Sequence, residues 1–356
     1  MRTRVGRHVV LAAVLFALPA ATGAAEGRNP LFAPGPITAS GKYVLTRNIA
    51  GTGAAPAISV QAPQVEIDLN GFTVTNGNGD DCIQVLSSTA RLTVRNGTIS
   101  DCHSAVYAGA ATQVVVEDVT VSGTWGGAVN VNDVGSVAIR RATVLGSGSY
   151  GIGIVSPTGF SHNALIEDCT VQGTASDGII FNFGSVQIRN NRVTAAGNTG
   201  IRVFEATGSE VSGNLVVGAA NDAGLVLVAT HGSIVSGNIV RNSYLHGIWL
   251  PADATHNLVR DNVSTGNGTS GTGHGLYVQG FANKIEGNTL NANVGAGLFF
   301  ATTGCRNTIG RNMAQSNNGT GVSGCTSLFA PDSCSQCTGP ANGSFGDNLI
   351  PGPPVF

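Results

Sequence analysis

Asp222, His246 and His274 are the residues of this sequence whose types and spacing best suit chemistry. The position just before a recurring glycine reads Asp81, Ser104, Gly127, Tyr150, Asp177, Thr199, Ala223, His246, His274 and Ala296. That column stacks His246 on His274, with Asp222 one repeat earlier and one residue back. A histidine pair beside a carboxylate could move protons near neutral pH. No second carboxylate stands at the spacing that glycoside cleavage requires. The plain alternative is a solvated turn that tolerates histidine.

A second set of residues suits binding. Three positions after the histidine column lie Trp249, Tyr277 and, in the next repeat, Phe299, with Arg202 two repeats upstream of Trp249. Their neighbours Ile248/Leu250, Leu276/Val278 and Leu298/Phe300 are apolar, so strand alternation turns the three rings outward. A stripe of outward aromatics marks an interaction site. Apolar sugar faces could stack on it while His246 and His274 bond hydroxyls and Arg202 meets an acidic group. A C-terminal tail folded over the stripe would instead make it a cap interface.

The elements that position these residues are repeats. Gly-(Ile/Leu)-x-apolar recurs as Gly151-Ile152-Gly153-Ile154, Gly178-Ile179-Ile180-Phe181, Gly200-Ile201-Arg202-Val203, Gly224-Leu225-Val226-Leu227, Gly247-Ile248-Trp249-Leu250, Gly275-Leu276-Tyr277-Val278 and Gly297-Leu298-Phe299-Phe300. Weaker copies begin at Cys82, Ala105 and Ala128. A second apolar column runs Val94, Val116, Ile139, Ile166, Ile188, Val211, Val235, Val259, Ile285, Ile309, and an asparagine column runs Asn191, Asn214, Asn238, Asn262, Asn288, Asn312. Periods of about 22–28 residues with short alternating strands predict an all-β solenoid of parallel strands. The stacked asparagines would pass amide hydrogen bonds from coil to coil. Arg95, Glu117, Arg140, Glu167 and Arg189 would form an ion-pair ladder.

Composition excludes other classes. Charged residues are 11% of the chain and only Lys42 and Lys284 are lysines, with no basic run to neutralise phosphates, so nucleic acid is not an expected partner. Arg2, Arg4 and Arg7 precede an apolar run from Val9 to Leu18, which reads as a signal peptide over residues 1–25 and predicts a secreted or periplasmic protein. Its removal leaves 15 − 20 = −5 in formal charge. That run is too short to span a bilayer, and no other run is long enough either. The expected organisation is an N-terminal cap and first strand over 26–60, the solenoid over 61–323 and a Cys/Pro-containing tail or cap over 324–356. A monomer is expected. Among the seven cysteines, Cys82 and Cys102 fall in adjacent coils and could form a bridge, with Cys305–Cys325 and Cys334–Cys337 as further pairs, while Cys169 sits in the asparagine column as a buried thiol.

The pattern resembles the right-handed parallel β-helix superfamily, the pectate-lyase-like fold. It looks most like secreted bacterial parallel β-helix repeat proteins, including the NosD-type group. The opening Gly41-Lys42-Tyr43-Val44-Leu45-Thr46-Arg47-Asn48-Ile49 and the following Val65-Glu66-Ile67-Asp68-Leu69-Asn70-Gly71-Phe72-Thr73-Val74 are similar to how many of those proteins begin. The resemblance implies a right-handed parallel β-helix of about 10–12 coils over residues 37–323, and it carries scaffold residues rather than a function. Polygalacturonase-like signatures do not assemble: Gly79-Asp80-Asp81 and Gly273-His274-Gly275 lie eight coils apart, and no Arg-x-Lys exists. The Asp-Pro-His of alginate epimerases is missing. Copper, suggested by the NosD name, would need clustered His, Met or Cys, and the chain has two Met. No metal or other cofactor is expected. Calcium is the one ion that Asp80, Asp81 and Asp101 could begin to hold.

The functional expectation is therefore an exported β-helix that binds extracellular polysaccharide through Trp249, Tyr277, Phe299 and Arg202. The alternatives are a polysaccharide lyase or glycosidase working through Asp222, His246 and His274, and a non-catalytic structural or adhesive surface protein.

Overall fold

A buried polar turn that repeats every coil needs its hydrogen bonds met along the stack, and this requirement shapes the molecule. The computed structural model describes residues 27–77, 79–301 and 306–318, with the backbone of Val322–Gly324 and Gly343–Ser344. Residues 1–25, most of the 324–356 tail and Cys305, Cys325, Cys334 and Cys337 lie outside the described residues. Among the described residues the regular elements are all strands, and no helix is long and apolar enough to cross a membrane.

The strands pair in parallel along about twelve coils. The glycine strands form a first sheet whose register runs Ile201↔Leu225↔Ile248↔Leu276↔Leu298. The expected outward column is continuous from Gln84 through Tyr107, Asn130, Gly153, Ile180, Arg202, Val226, Trp249 and Tyr277 to Phe299. A second sheet carries the apolar column from Val94 to Ile309, and all ten of its members are buried. The third sheet holds Val171, Val193, Val216 and Val240. The stack also continues past residue 323: Val322–Gly324 pair with Leu298–Phe300, and Gly343–Ser344 pair with Thr308–Ile309.

The repeat glycine is there because nothing larger fits. A methyl group on Gly151, Gly178, Gly200 or Gly224 would collide with Cγ1 of Val171, Val193, Val216 or Val240 across the coil. The turn before each ladder asparagine places its preceding residue at positive φ, as at Asn190 (57°), Gly213 (64°), Gly237 (63°), Asp261 (56°) and Gly287 (67°). This left-handed step favours Gly, Asn and Asp and explains their alternation there.

The asparagine column forms the expected ladder. Asn238 Nδ2 donates to Asn262 Oδ1 (2.9 Å) and Val211 O (2.8 Å), while its Oδ1 accepts from Asn214 N (3.0 Å) and Nδ2 (2.9 Å). Cys169, a buried free thiol, ends the ladder, its N–H donating to Asn191 Oδ1 at 2.9 Å. Two further ladders were not anticipated. One runs Ser209, Ser233, Asn257, Asn283 and Asn307, and the other joins Ser243, Asn267, Asn293 and Asn317. Cys82 and Cys102 form a disulfide between adjacent coils. Glu167 links Arg140 and Arg189 at 2.8 Å each. Glu117 departs from the expected ion-pair column and meets Arg141 instead, at 3.5 Å.

Asn238→Ala should destabilise the fold strongly, since it strips partners from several buried groups at about 1–3 kcal/mol per orphan. Urea unfolding would show a lower midpoint with an unchanged slope; a loss no larger than that of an exposed Asn→Ala would contradict the ladder's energetic role.

Candidate functional site

The turn that leads into the first sheet has one N–H per coil pointing along the stack. In four coils a side chain of the pre-glycine column accepts it. Asp81 Oδ1 takes Ser104 N (3.0 Å) and Asp177 Oδ1 takes Thr199 N (2.9 Å). His246 and His274 do the same with an imidazole: His246 Nδ1 accepts from His274 N at 3.1 Å, and His274 Nδ1 accepts from Ala296 N at 2.9 Å. Each ring spends its only lone pair inward, so its proton resides on Nε2 and the ring is a donor on its other side.

The two imidazoles lie face to face, with centroids 5.3 Å apart and planes 4° from parallel. Aromatic rings of the outward column pack against them. His246 sits 4.3 Å from Tyr277 and 6.0 Å from Trp249, and His274 stacks on Phe299 at 4.3 Å and 11°. Trp249 to Tyr277 is 6.2 Å and Tyr277 to Phe299 is 5.5 Å. Trp249 Nε1–H donates to Gln279 Oε1 at 2.9 Å, which fixes the indole. The three rings face outward as expected but are half-buried rather than open, because the histidines fill the space beside them. Val226, between Arg202 and Trp249 in the same column, is buried.

Burial pushes His246 down to about 3, with the neighbouring His274 adding to the effect, and burial also lowers His274. A neutral Nε2–H donor at pH 7 is a poor general acid and has no lone pair free to act as a base. Asp222 is not joined to either imidazole by a hydrogen bond. Its carboxylate accepts from Thr199 Oγ1 (2.9 Å) and Arg202 Nη2 (3.1 Å). Arg202 Nε also lies 3.1 Å from Asp177 Oδ2, an ion-pair contact without hydrogen-bond geometry. The guanidinium expected to meet an acidic ligand is thus already enclosed by two carboxylates. Sequence reasoning missed Asp177, Thr199 and Gln279. Asp177 and Thr199 stood in the pre-glycine column without the direction of their side chains being legible, and Gln279 lay in none of the columns.

The carboxylates expected to start a calcium site are not gathered. Asp81 is spent on Gln84 Nε2 (2.9 Å), His103 Nδ1 (3.2 Å) and Ser104 N. Among the described residues no three of His, Cys, Asp and Glu converge. An open cleft of about 480 Å³, also missed, lies between Gly159–Asn163, Phe183–Ser185 and Glu205–Thr207.

A family profile described as "Right handed beta helix region" matches residues 155–314. The chain has the right-handed parallel β-helix fold. A second profile, "Periplasmic copper-binding protein (NosD)", matches residues 64–221 of this β-helix. The described residues of the β-helix do not fit copper: the stacked histidines have their Nδ1 lone pairs committed to backbone N–H groups, and no three of His, Cys, Asp and Glu converge. No curated protein matches it by sequence. Among solved structures, the A-module of the Azotobacter vinelandii mannuronan C-5 epimerase AlgE4 is similar at 12% identity and a TM-score of 0.60, covering 88% of this chain and 91% of that one. The periplasmic alginate epimerase AlgG is similar at 14% identity and a TM-score of 0.56, covering 79% and 73%. PfbA, a surface adhesin of Streptococcus pneumoniae, is similar at 12% identity and a TM-score of 0.50, covering 81% and 84%. At these identities the likeness is one of fold.

Because folded His246 stays neutral where an unfolded histidine would be protonated, the unfolded state binds more protons between about pH 6.5 and about pH 3. This contribution is complete above the upper value and is lost as pH falls towards the lower one. His246→Asn retains an acceptor for His274 N and removes the titration, so denaturant unfolding across that window should show a shallower pH slope. An unchanged slope would contradict the burial of a neutral imidazole.

Proposed function

We propose that this β-helix is an exported protein that binds a polysaccharide along the outward side of its first sheet. Trp249, Tyr277 and Phe299 supply one stacking ring per coil, and the coil repeat of about 4.8 Å is close to the length of one sugar unit. His246 and His274 supply Nε2–H donors for hydroxyls beside those rings. The observation that carries this reading is the row of three aromatic rings in register, packed beside two imidazoles whose Nδ1 atoms accept backbone N–H groups and so leave the ring proton on Nε2. The basic and apolar N-terminal segment supports export. The names of the similar structures, alginate-acting epimerases and a surface adhesin, are compatible with a ligand of this class outside the cytoplasm.

Binding is favoured over cleavage by the state of the polar groups. Asp222 is engaged by Thr199 and Arg202, and both imidazoles have their Nδ1 committed to the backbone. A lyase or glycosidase would need a free base and a second carboxylate at working distance.

Trp249→Ala and Phe299→Ala should each weaken binding of the cognate polysaccharide about tenfold, near 1.4 kcal/mol, through lost stacking, with the folded circular dichroism spectrum retained. Affinity electrophoresis across a polysaccharide panel reads this. Equal mobility of wild type and both variants on every polymer that binds would remove the site, and release of unsaturated uronates or new reducing ends would replace binding with catalysis.

A further inference from the structure

The charge carried by this face narrows the ligand. On the first-sheet stretches, from the turn before each glycine to the corner that ends the sheet, the ten coils between Asp80 and Ala301 hold Asp80, Asp81, Asp177, Glu205 and Asp222 against one basic residue, Arg202. Other cations lie on the second and third sheets, including Arg95, Arg140, Arg189, Arg192, Arg241, Arg260 and Lys284. Arg202 is not available as a free positive charge. Its Nε lies 3.1 Å from Asp177 Oδ2, and its Nη2 lies 3.1 Å from Asp222 Oδ2 and 2.6 Å from Thr199 Oγ1. The group of one guanidinium and two carboxylates is net negative. The stacked histidines add N–H donors but no charge, because each Nδ1 accepts a backbone N–H and a second ring proton there would face that donor.

A polyuronate places a carboxylate on every sugar, so several anionic groups would have to settle along the aromatic row. Each would lose water without gaining a cation, beside a cluster that already repels it. Recognition of an acidic polymer needs opposed charge, and a like charge at the site acts as a selector against it. An uncharged chain faces no such cost: its hydroxyls can accept from His246 and His274 Nε2–H and donate to Asp222, while its apolar faces cover the rings.

Resting on the reading that this face binds polysaccharide, we propose that its ligand is an uncharged glycan chain and that polyuronates are rejected by the Asp177–Arg202–Asp222 cluster. The fold's similarity to alginate epimerases would then not extend to the charge of the polymer.

The test is calorimetric titration of the purified full chain and of Trp249→Ala with hexasaccharides of three kinds: uncharged (cellohexaose, mannohexaose, N-acetylchitohexaose), uronate (hexamannuronate, hexagalacturonate) and cationic (chitohexaose amine). At least one uncharged hexasaccharide should bind at least about tenfold tighter than either uronate, lose affinity in Trp249→Ala, and vary little with ionic strength. Asp222→Asn, which relieves Arg202 of one carboxylate, should narrow the gap by improving uronate binding, with an unchanged circular dichroism spectrum confirming the fold. Preference for a uronate or for the amine, with Trp249 dependence, overturns the inference and leaves the binding face standing. Absence of binding to all six, or binding indifferent to Trp249→Ala, overturns both.

Discussion

A buried amide that meets its counterpart one coil away is the interaction on which the rest of this molecule depends. Each coil must turn three times, and each turn strands backbone N–H and C=O groups inside a narrow apolar tube. Asn191, Asn214, Asn238, Asn262 and Asn288 meet that demand by donating to the carbonyl of the coil below and to the next amide above. Such a chain tolerates no slip, since a shift of one residue would turn every apolar strand position outward and every asparagine away from its partner. The register so imposed is what makes the columns of the sheets real columns.

The candidate site is a variation on the same device. The pre-glycine turn also needs an acceptor facing the next coil, and aspartate serves at Asp81 and Asp177. At His246 and His274 an imidazole does this work and thereby gains a defined tautomer and a defined plane. The neighbouring strand presents Trp249, Tyr277 and Phe299 at matching heights. Structural and functional readings of the two histidines are therefore not rivals: the bond that satisfies the backbone also fixes the ring proton on Nε2. The same rigidity holds Arg202 between Asp177 and Asp222 and sets the charge of the face beside the rings.

Much of the fold was legible because a parallel solenoid repeats its register. The Gly-x-apolar strand, the second apolar column and the six-asparagine ladder could be aligned by eye, and the Cys82–Cys102 neighbourhood followed from that alignment. The Ser209–Ser233–Asn257 and Asn267–Asn293 ladders escaped notice because hydroxyl and amide residues alternate in them and the column loses its uniform appearance. The site was legible to the level of which residues share a face, and no further. Sequence places Arg202, Asp177 and Asp222 in neighbouring coils without saying that they close on one another. It places His246 above His274 without saying which ring nitrogen turns inward. Both facts depend on side-chain direction, and the expected proton-shuttling role and free arginine fade once those directions are seen.

The state of the two imidazoles decides the nature of this face, and nitrogen-15 chemical shifts of the His246 and His274 rings in the free protein report it directly. The structure predicts a protonated Nε2 and an unprotonated, hydrogen-bonded Nδ1 in both, with His246 holding that pattern as pH falls from neutrality until it nears its lowered value of about 3. A protonated Nδ1 in either ring, or titration of His246 near the ordinary histidine value of about 6.5, would contradict it.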